Sequence, residues 1–299
     1  MPFPARALGL GGLFAALHPC VSLPMPALFP VPTILASGLA FPEGPVLSRD
    51  GSVLYCVNVQ GGFLSRLDIA TRTLTREWLT LPNGGRGNGA TLGADGALYV
   101  ADVGARRIVR INLAHDPAPG ELATIADANA EGGPLRGPND LVFAPDGSLY
   151  FTDPEGSWDE PVGAVFKVHP ATRHVSRVAN GLRYPNGLAL SPDAQTLYVA
   201  QSPLGRIDAL DLASGLLRPW ADVGEAGSPD GLRLGPDGCV YAALFGDGVV
   251  AKVSPEGAVI ARWPVGGQNP TNLCFAPDGR GLYVTEAQTH SLIFLPLPA

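Results

Sequence analysis

The chain has 299 residues, 46% of them apolar and only 16% charged, which excludes a disordered protein and leaves ample length for a core. Its net charge of −7 excludes the basic face that nucleic acid or an anionic membrane demands, so the expected partner is a small molecule. Glycine (38) and proline (30) are spread along the whole chain, which implies many turns joining short strands.

Residues 1–30 read as an extension outside the fold. Arg6 and the apolar run Ala7 to Leu17 loosely match the core of a secretion signal. The segment before the run has a single charge and two prolines, while the run is followed by no small-x-small cleavage site and is too short to span a bilayer. A cytoplasmic location is favoured over a secreted or periplasmic one. Of the four cysteines, Cys20, Cys56, Cys239 and Cys274, three sit in apolar strand-like runs, and no C-x-x-C pair occurs; buried thiols are the default reading.

From residue 31 onward one pattern repeats. A turn occurs at Asp50-Gly51, Asp95-Gly96, Asp146-Gly147, Asp193-Ala194, Asp237-Gly238 and Asp278-Gly279, with the aspartates 45, 51, 47, 44 and 41 residues apart. Each turn is followed by a strand of one kind: VLYCVN, ALYVAD, SLYFTD, TLYVAQ, CVYAAL, GLYVTE. Third strands such as RIVRINL and AVFKVHP come next, then fourth strands such as REWLT, LATIAD and VIARWP. Four short strands at this period predict a blade of a β-propeller, so the fold is all-β, a six-bladed propeller of four-stranded antiparallel blades over 31–299. The last repeat stops after its third strand, SLIFLPL, while PTILAS (Pro32 to Ser37) stands alone before the first repeat. That N-terminal strand is expected to complete the last blade and close the ring, leaving no open edge.

Seven places before each turn aspartate stand Glu43, Asn88, Asn139, Asn186, Asp230 and Thr271. All six bear oxygen, although each leads into a mostly apolar innermost strand, and three of the chain's ten asparagines fall here. Innermost strands of a propeller begin around one central channel, so this axial row converges on the axis. Buried carboxylates and amides are costly unless something satisfies them. Two acids among neutral oxygen donors suit a hard divalent cation, Ca²⁺ first, then Mg²⁺ or Mn²⁺, with Zn²⁺ disfavoured for want of His or Cys. The competing reading is that each residue shapes the turn entering its strand; glutamate at position 43 fits that reading poorly.

The segments FPEGPVLSRDG, GPNDLVFAPDGSLYFTDP, YPNGLALSPDAQTLYVA and SPDGLRLGPDG resemble, in order, those of the senescence marker protein, gluconolactonase and luciferin-regenerating enzyme superfamily. The resemblance implies a six-bladed propeller that hydrolyses a lactone with a divalent metal held by Glu43, Asn186 and Asp230. Asn139 matches an asparagine beside the metal that serves as ligand or substrate contact. Many members carry an arginine two residues before the Asn-Asp pair; here Arg136 lies three before Asn139, with Gly137 and Pro138 between. Asp230 is the first candidate for catalytic base, as ligand and base together. Asp140 is the second, although strand alternation would turn it away from the channel. The polar insertion DPEGSWDEP is expected over the channel mouth, with Glu155 and Trp158 touching substrate, while Asn88, Arg136 and Thr271 complete the substrate-facing set.

Other chemistries find no motif: none of the five histidines forms H-E-x-x-H, and neither a G-x-S-x-G elbow nor a P-loop occurs. Two alternatives use the same architecture: organophosphate or phosphofluoridate hydrolysis at the metal, and a non-hydrolytic binding or strictosidine-synthase-like propeller.

Overall fold

Each repeated turn is built the same way. The aspartate Oδ1 accepts the N–H two residues on: Ser52 from Asp50 (3.1 Å), Ala97 from Asp95 (3.1 Å), Ser148 from Asp146 (2.8 Å), Gln195 from Asp193 (3.1 Å), Cys239 from Asp237 (3.2 Å) and Arg280 from Asp278 (3.0 Å). The next residue takes a positive φ in all six, which glycine supplies five times and Ala194 once, at 54°.

In the computed structural model, which describes residues 31–114, 121–224 and 227–298, these hairpins grow into 24 strands, β1 to β24, in six four-stranded antiparallel sheets. The extension 1–30, with Cys20, and His115 lie outside the described residues. The innermost strands are β2 (Pro42–Leu47), β6 (Gly87–Leu92), β10 (Leu141–Phe143), β14 (Pro185–Leu190), β18 (Ser228–Leu234) and β22 (Pro270–Phe275). Each of these strands packs against the next, and β22 packs against β2, which closes the ring. The closure is the expected one: β1 (Thr33–Ala36) pairs antiparallel with β24 (Ser291–Pro296), Ile34 opposite Ile293.

The core is divided among the blade junctions. Six clusters of buried apolar side chains occur, each drawn from two neighbouring blades, as where Val57 and Leu64 of blade one meet Leu98 and Val100 of blade two. Both faces of every sheet are therefore covered, which is why the second strands read as almost unbroken apolar runs. Burying one such side chain stabilises the fold by roughly 1.5–3 kcal/mol. Cys56 is buried in one junction, Cys239 in a second and the half-buried Cys274 packs beside the first; all three are free thiols, as expected. No helix among the described residues is long and apolar enough to cross a membrane.

Candidate metal and substrate site on the channel axis

Five of the six axial residues meet in one cavity. Glu43, Asn88, Asn139, Asn186 and Asp230 line a pocket of about 210 Å³ at one mouth of the channel, together with Phe41, Trp158, Tyr184, Ser202, Ser228 and Phe245. Thr271 is absent from the lining. Its hydroxyl bonds the Pro42 carbonyl at 2.7 Å and lies 2.8 Å from the Thr285 hydroxyl, stitching blade six to blade one.

The insertion after the third blade's second strand is placed by Asp153. This buried carboxylate accepts the N–H groups of Arg136 (2.8 Å), Gly137 (2.9 Å) and Glu155 (2.9 Å). Trp158 is thereby brought to the cavity, its ring 5.0 Å from that of Tyr184. Arg136 and Glu155 do not line it; they face each other at 3.9 Å, with the arginine side chain 63% exposed.

A second layer lies one residue further along each inner strand. The pairing register slips there in five blades, between Glu43 and Val46, Gly87 and Ala90, Pro185 and Leu188, Pro229 and Leu232, and Pro270 and Asn272. Such bulges break strict alternation, so two successive residues can face the axis. Four blades have glycine at this second level, Gly44, Gly89, Gly187 and Gly231, while blade three has Asp140 and blade six Asn272. These two come from opposite sides of the ring and still meet, Asn272 Nδ2 lying 3.4 Å from Asp140 Oδ2. Asp140 therefore faces the axis below the cavity, although β10, which begins one residue later, shows no register slip. The glycines leave the room: a Cβ on Gly89 would stand 2.3 Å from Asp140 Oδ1, and one on Gly231 would stand 2.2 Å from Asn272 Cγ. Below them Arg233 fills the axis, Nη1 3.8 Å from Asp140 Oδ2 and donating to the Leu232 carbonyl (2.9 Å), Nη2 donating to the Ala90 carbonyl (3.3 Å).

The electrostatics follow from this stacking. Burial pushes Glu43 up to about 8, helped by the Asp140 charge and opposed by the Gly44 N–H, Asn272 and Arg233. Burial also raises Asp230 well above the usual carboxylate range, with Glu43 and Asp140 adding to it and an Asn186 hydrogen bond opposing. Asp140 is raised by burial against the pull of Arg233, and Tyr184 by burial and the nearby Asp230 and Glu43. Three carboxylates thus share one desolvated well with a single guanidinium, an arrangement that a cation stabilises.

The donors fit a hard ion. Glu43 Oε2 accepts from Gly44 N (2.7 Å) and Asn272 Nδ2 (3.1 Å), while Oε1 takes no hydrogen bond from any described residue. Asn186 Nδ2 donates to Ser202 Oγ (3.1 Å), which leaves its carbonyl oxygen for the cavity, and Ser202 Oγ in turn donates to the Pro229 carbonyl (2.7 Å). No three His, Cys, Asp or Glu side chains among the described residues are arranged to hold a metal ion together, so any cation must draw on the amides as well as on Glu43 and Asp230.

Sequence reading missed Phe41, Tyr184, Ser202, Ser228 and Phe245 in the wall, and Asn272 and Arg233 below. The aligned rows beside the axial one carried part of this signal. Asn272 is one place after the axial row, and Phe41, Tyr184 and Ser228 are two places before it.

Fold and site together define a six-bladed propeller with an oxygen-donor well on its axis. The family profile described as the SMP-30/gluconolactonase/LRE-like region matches residues 41–288, and the chain belongs to that family. It is 33% identical over 223 residues to the gluconolactonase of Zymomonas mobilis, an alignment spanning 66% of this chain and 60% of that protein, less than two thirds of its length. Among solved structures, a gluconolactonase from Xanthomonas campestris superposes with a TM-score of 0.77 at 27% identity, covering 89% of each chain. Regucalcin from Agrobacterium tumefaciens, a calcium-binding protein, shares the fold with a TM-score of 0.72 at 22% identity, covering 89% of this chain and 92% of that one.

Proposed function

We propose that this protein is a divalent-cation-dependent lactonase. The observation that carries the reading is the pair of desolvated carboxylates, Glu43 and Asp230, lining one cavity with the amides of Asn139 and Asn186. Gluconolactonases among the relatives support the reaction class, and the calcium-binding regucalcin supports the ion. Glu43, Asn139, Asn186 and Asp230 would hold the ion, Ca²⁺ before Mg²⁺ or Mn²⁺. A bound divalent cation supplies positive charge that offsets the two carboxylates and polarises the ester carbonyl.

The remaining work belongs to side chains of this chain. Asp230 would accept the proton of the attacking water as general base. The water oxygen bonds to the carbonyl carbon, the ring C–O bond breaks, and the ring oxygen receives a proton, giving a hydroxy acid. Asn88, which lines the cavity and makes no side-chain hydrogen bond to a described residue, would meet a substrate oxygen. Trp158 and Tyr184 line the well and would limit bulk water around a bound substrate.

The test combines elemental analysis of the purified protein with lactone hydrolysis before and after chelation and re-addition of Ca²⁺. Asp230→Asn is expected to lose turnover by about a thousandfold or more, since base and ligand charge go together, while its circular dichroism stays that of a β-propeller. Activity indifferent to chelator, or an active Asp230→Asn variant, would overturn the mechanism.

A further inference from the structure

The upper wall of the cavity is aromatic. Phe41, Tyr184, Trp158 and Phe245 line it, while the polar axial side chains form its floor. The four come from blades one, three, four and five, on both sides of the ring. Phe41 of blade one stacks toward Phe245 of blade five at 6.4 Å between centroids, and Trp158 from the blade-three insertion lies 5.0 Å from Tyr184 of blade four.

Two of these rings are held where their backbone would not go unaided. Phe41 has φ 55° and Tyr184 φ 40°, and each directly precedes a proline, Pro42 and Pro185. Bulky residues avoid positive φ, and a following proline favours extended backbone. Both are secured identically: Val59 N donates to the Phe41 carbonyl (3.1 Å) and Ser202 N to the Tyr184 carbonyl (3.4 Å). The positions are equivalent in blades one and four, so the two rings face each other across the six-bladed ring. Strained backbone retained at a cavity mouth is a sign of function.

The rim is also poor in what a polyhydroxylated substrate needs. No lysine or arginine among the described residues lines the cavity, Arg136 is turned to Glu155, and the Ser202 hydroxyl is occupied by the Pro229 carbonyl and Asn186, which leaves the Ser228 and Tyr184 hydroxyls. Hydroxyls of a sugar lactone would lie against phenyl faces with few partners, and leaving polar groups unpaired is costly.

We infer that the aromatic rim selects a lactone bearing an apolar substituent, an alkyl or aryl group on the ring carbon beside the ring oxygen, over a polyhydroxylated sugar lactone. The inference rests on the lactonase reading, with the ester at the axial floor and the substituent between Phe41, Phe245 and Tyr184.

The experiment compares kcat/KM of the Ca²⁺-loaded protein for δ-decalactone, δ-valerolactone and D-glucono-δ-lactone, in wild type, Phe41→Ala and Phe245→Ala. The alkyl lactone is expected to exceed the sugar lactone by about tenfold or more, and each variant to lower the alkyl value about fivefold with little change for valerolactone. Equal or greater activity on the sugar lactone, or loss of activity on all three substrates alike in folded variants, would overturn the assignment. If no lactone is hydrolysed, the lactonase reading falls by itself. The rim is then read by calorimetric binding of an alkyl-substituted δ-lactam against δ-valerolactam. About fivefold tighter binding of the alkyl form, lost in Phe41→Ala, supports the rim, and equal affinities overturn it.

Discussion

Asn272 Nδ2 lies 3.1 Å from Glu43 Oε2 and 3.4 Å from Asp140 Oδ2, so one amide ties an axial carboxylate to the buried acid across the channel. Glu43 has one oxygen held from below and the other left to the cavity. Replacing Asn272 by leucine keeps the volume and removes the donor. Groups that orient a ligand in this way are worth about 10–100-fold in metal affinity. Calcium titration of Asn272→Leu by calorimetry is expected to show a loss of that size, with the melting temperature of the calcium-free protein changing much less. Unchanged affinity would show that Gly44 N–H alone orients Glu43.

Arg233 and Asp140 form the charge pair beneath this amide, 3.8 Å apart with the carboxylate fully enclosed. Removing one member of a buried pair leaves the other uncompensated and costs about 3–5 kcal/mol, whereas removing both is often close to neutral. Arg233→Met is therefore expected to lower the urea-unfolding free energy by several kcal/mol, about 3, and Arg233→Met with Asp140→Asn to recover most of it. Additive losses in the double variant would mean that the two residues stabilise the channel independently.

Much of the fold was legible because each level of the sequence repeats. The Asp-Gly turns, the apolar second strands and the orphan strand Pro32 to Ser37 all report the same blade, and β1 pairs with β24 as that pattern requires. The axial row was legible for the same reason, and Glu43, Asn88, Asn139, Asn186 and Asp230 do share a cavity. Thr271 shared the row but not the cavity, because its hydroxyl is taken by the Pro42 carbonyl of the neighbouring blade, a contact between residues 229 apart in sequence. Asp140 does not line the cavity but faces the axis one level below it, which period-two alternation could not show because the residue precedes the regular strand β10. Arg136 and Glu155 have the right chemistry in the right loop, yet they pair with each other; which way a loop side chain turns is settled by its neighbours.

Gly89 sits at a close-packed point of the channel. A methyl group there would meet Asp140 Oδ1 at 2.3 Å, Asp140 Cα at 2.6 Å and the Asn139 carbonyl at 2.7 Å, and two of these three are backbone atoms that cannot rotate away. Its φ is not positive, so alanine would be tolerated by the local backbone and the whole effect comes from crowding. Gly89→Ala is expected to destabilise by about 1–3 kcal/mol and to weaken calcium binding by displacing Asn139 and Asp140. Gly133→Ala, whose added carbon comes no nearer than 3.4 Å to any atom, is the control and should leave both unchanged within about 0.5 kcal/mol. Denaturant unfolding and calorimetry read the two effects; a stable Gly89→Ala variant with normal calcium affinity would show that the second layer is not close-packed.

The turn aspartates are expected to add to the acid sensitivity of the fold. The Ser48 hydroxyl and the Ser52 N–H hold the Asp50 carboxyl down to about 2, the Ser148 N–H lowers Asp146, and the Ser191 hydroxyl lowers Asp193. A carboxyl with a lower pKa in the folded chain than in the unfolded one stabilises the fold above the unfolded value and stops doing so as pH falls through the folded one. These turns therefore lend their stability above about pH 4 and surrender it between about pH 4 and pH 2. Replacing Asp50, Asp146 and Asp193 by asparagine keeps an oxygen acceptor for the turn N–H and removes the titration. The triple variant is expected to melt lower than wild type at pH 7 and to show a shallower fall in melting temperature between pH 4 and pH 2. Parallel acid limbs in the two proteins, measured by circular dichroism, would place the acid sensitivity elsewhere in the molecule.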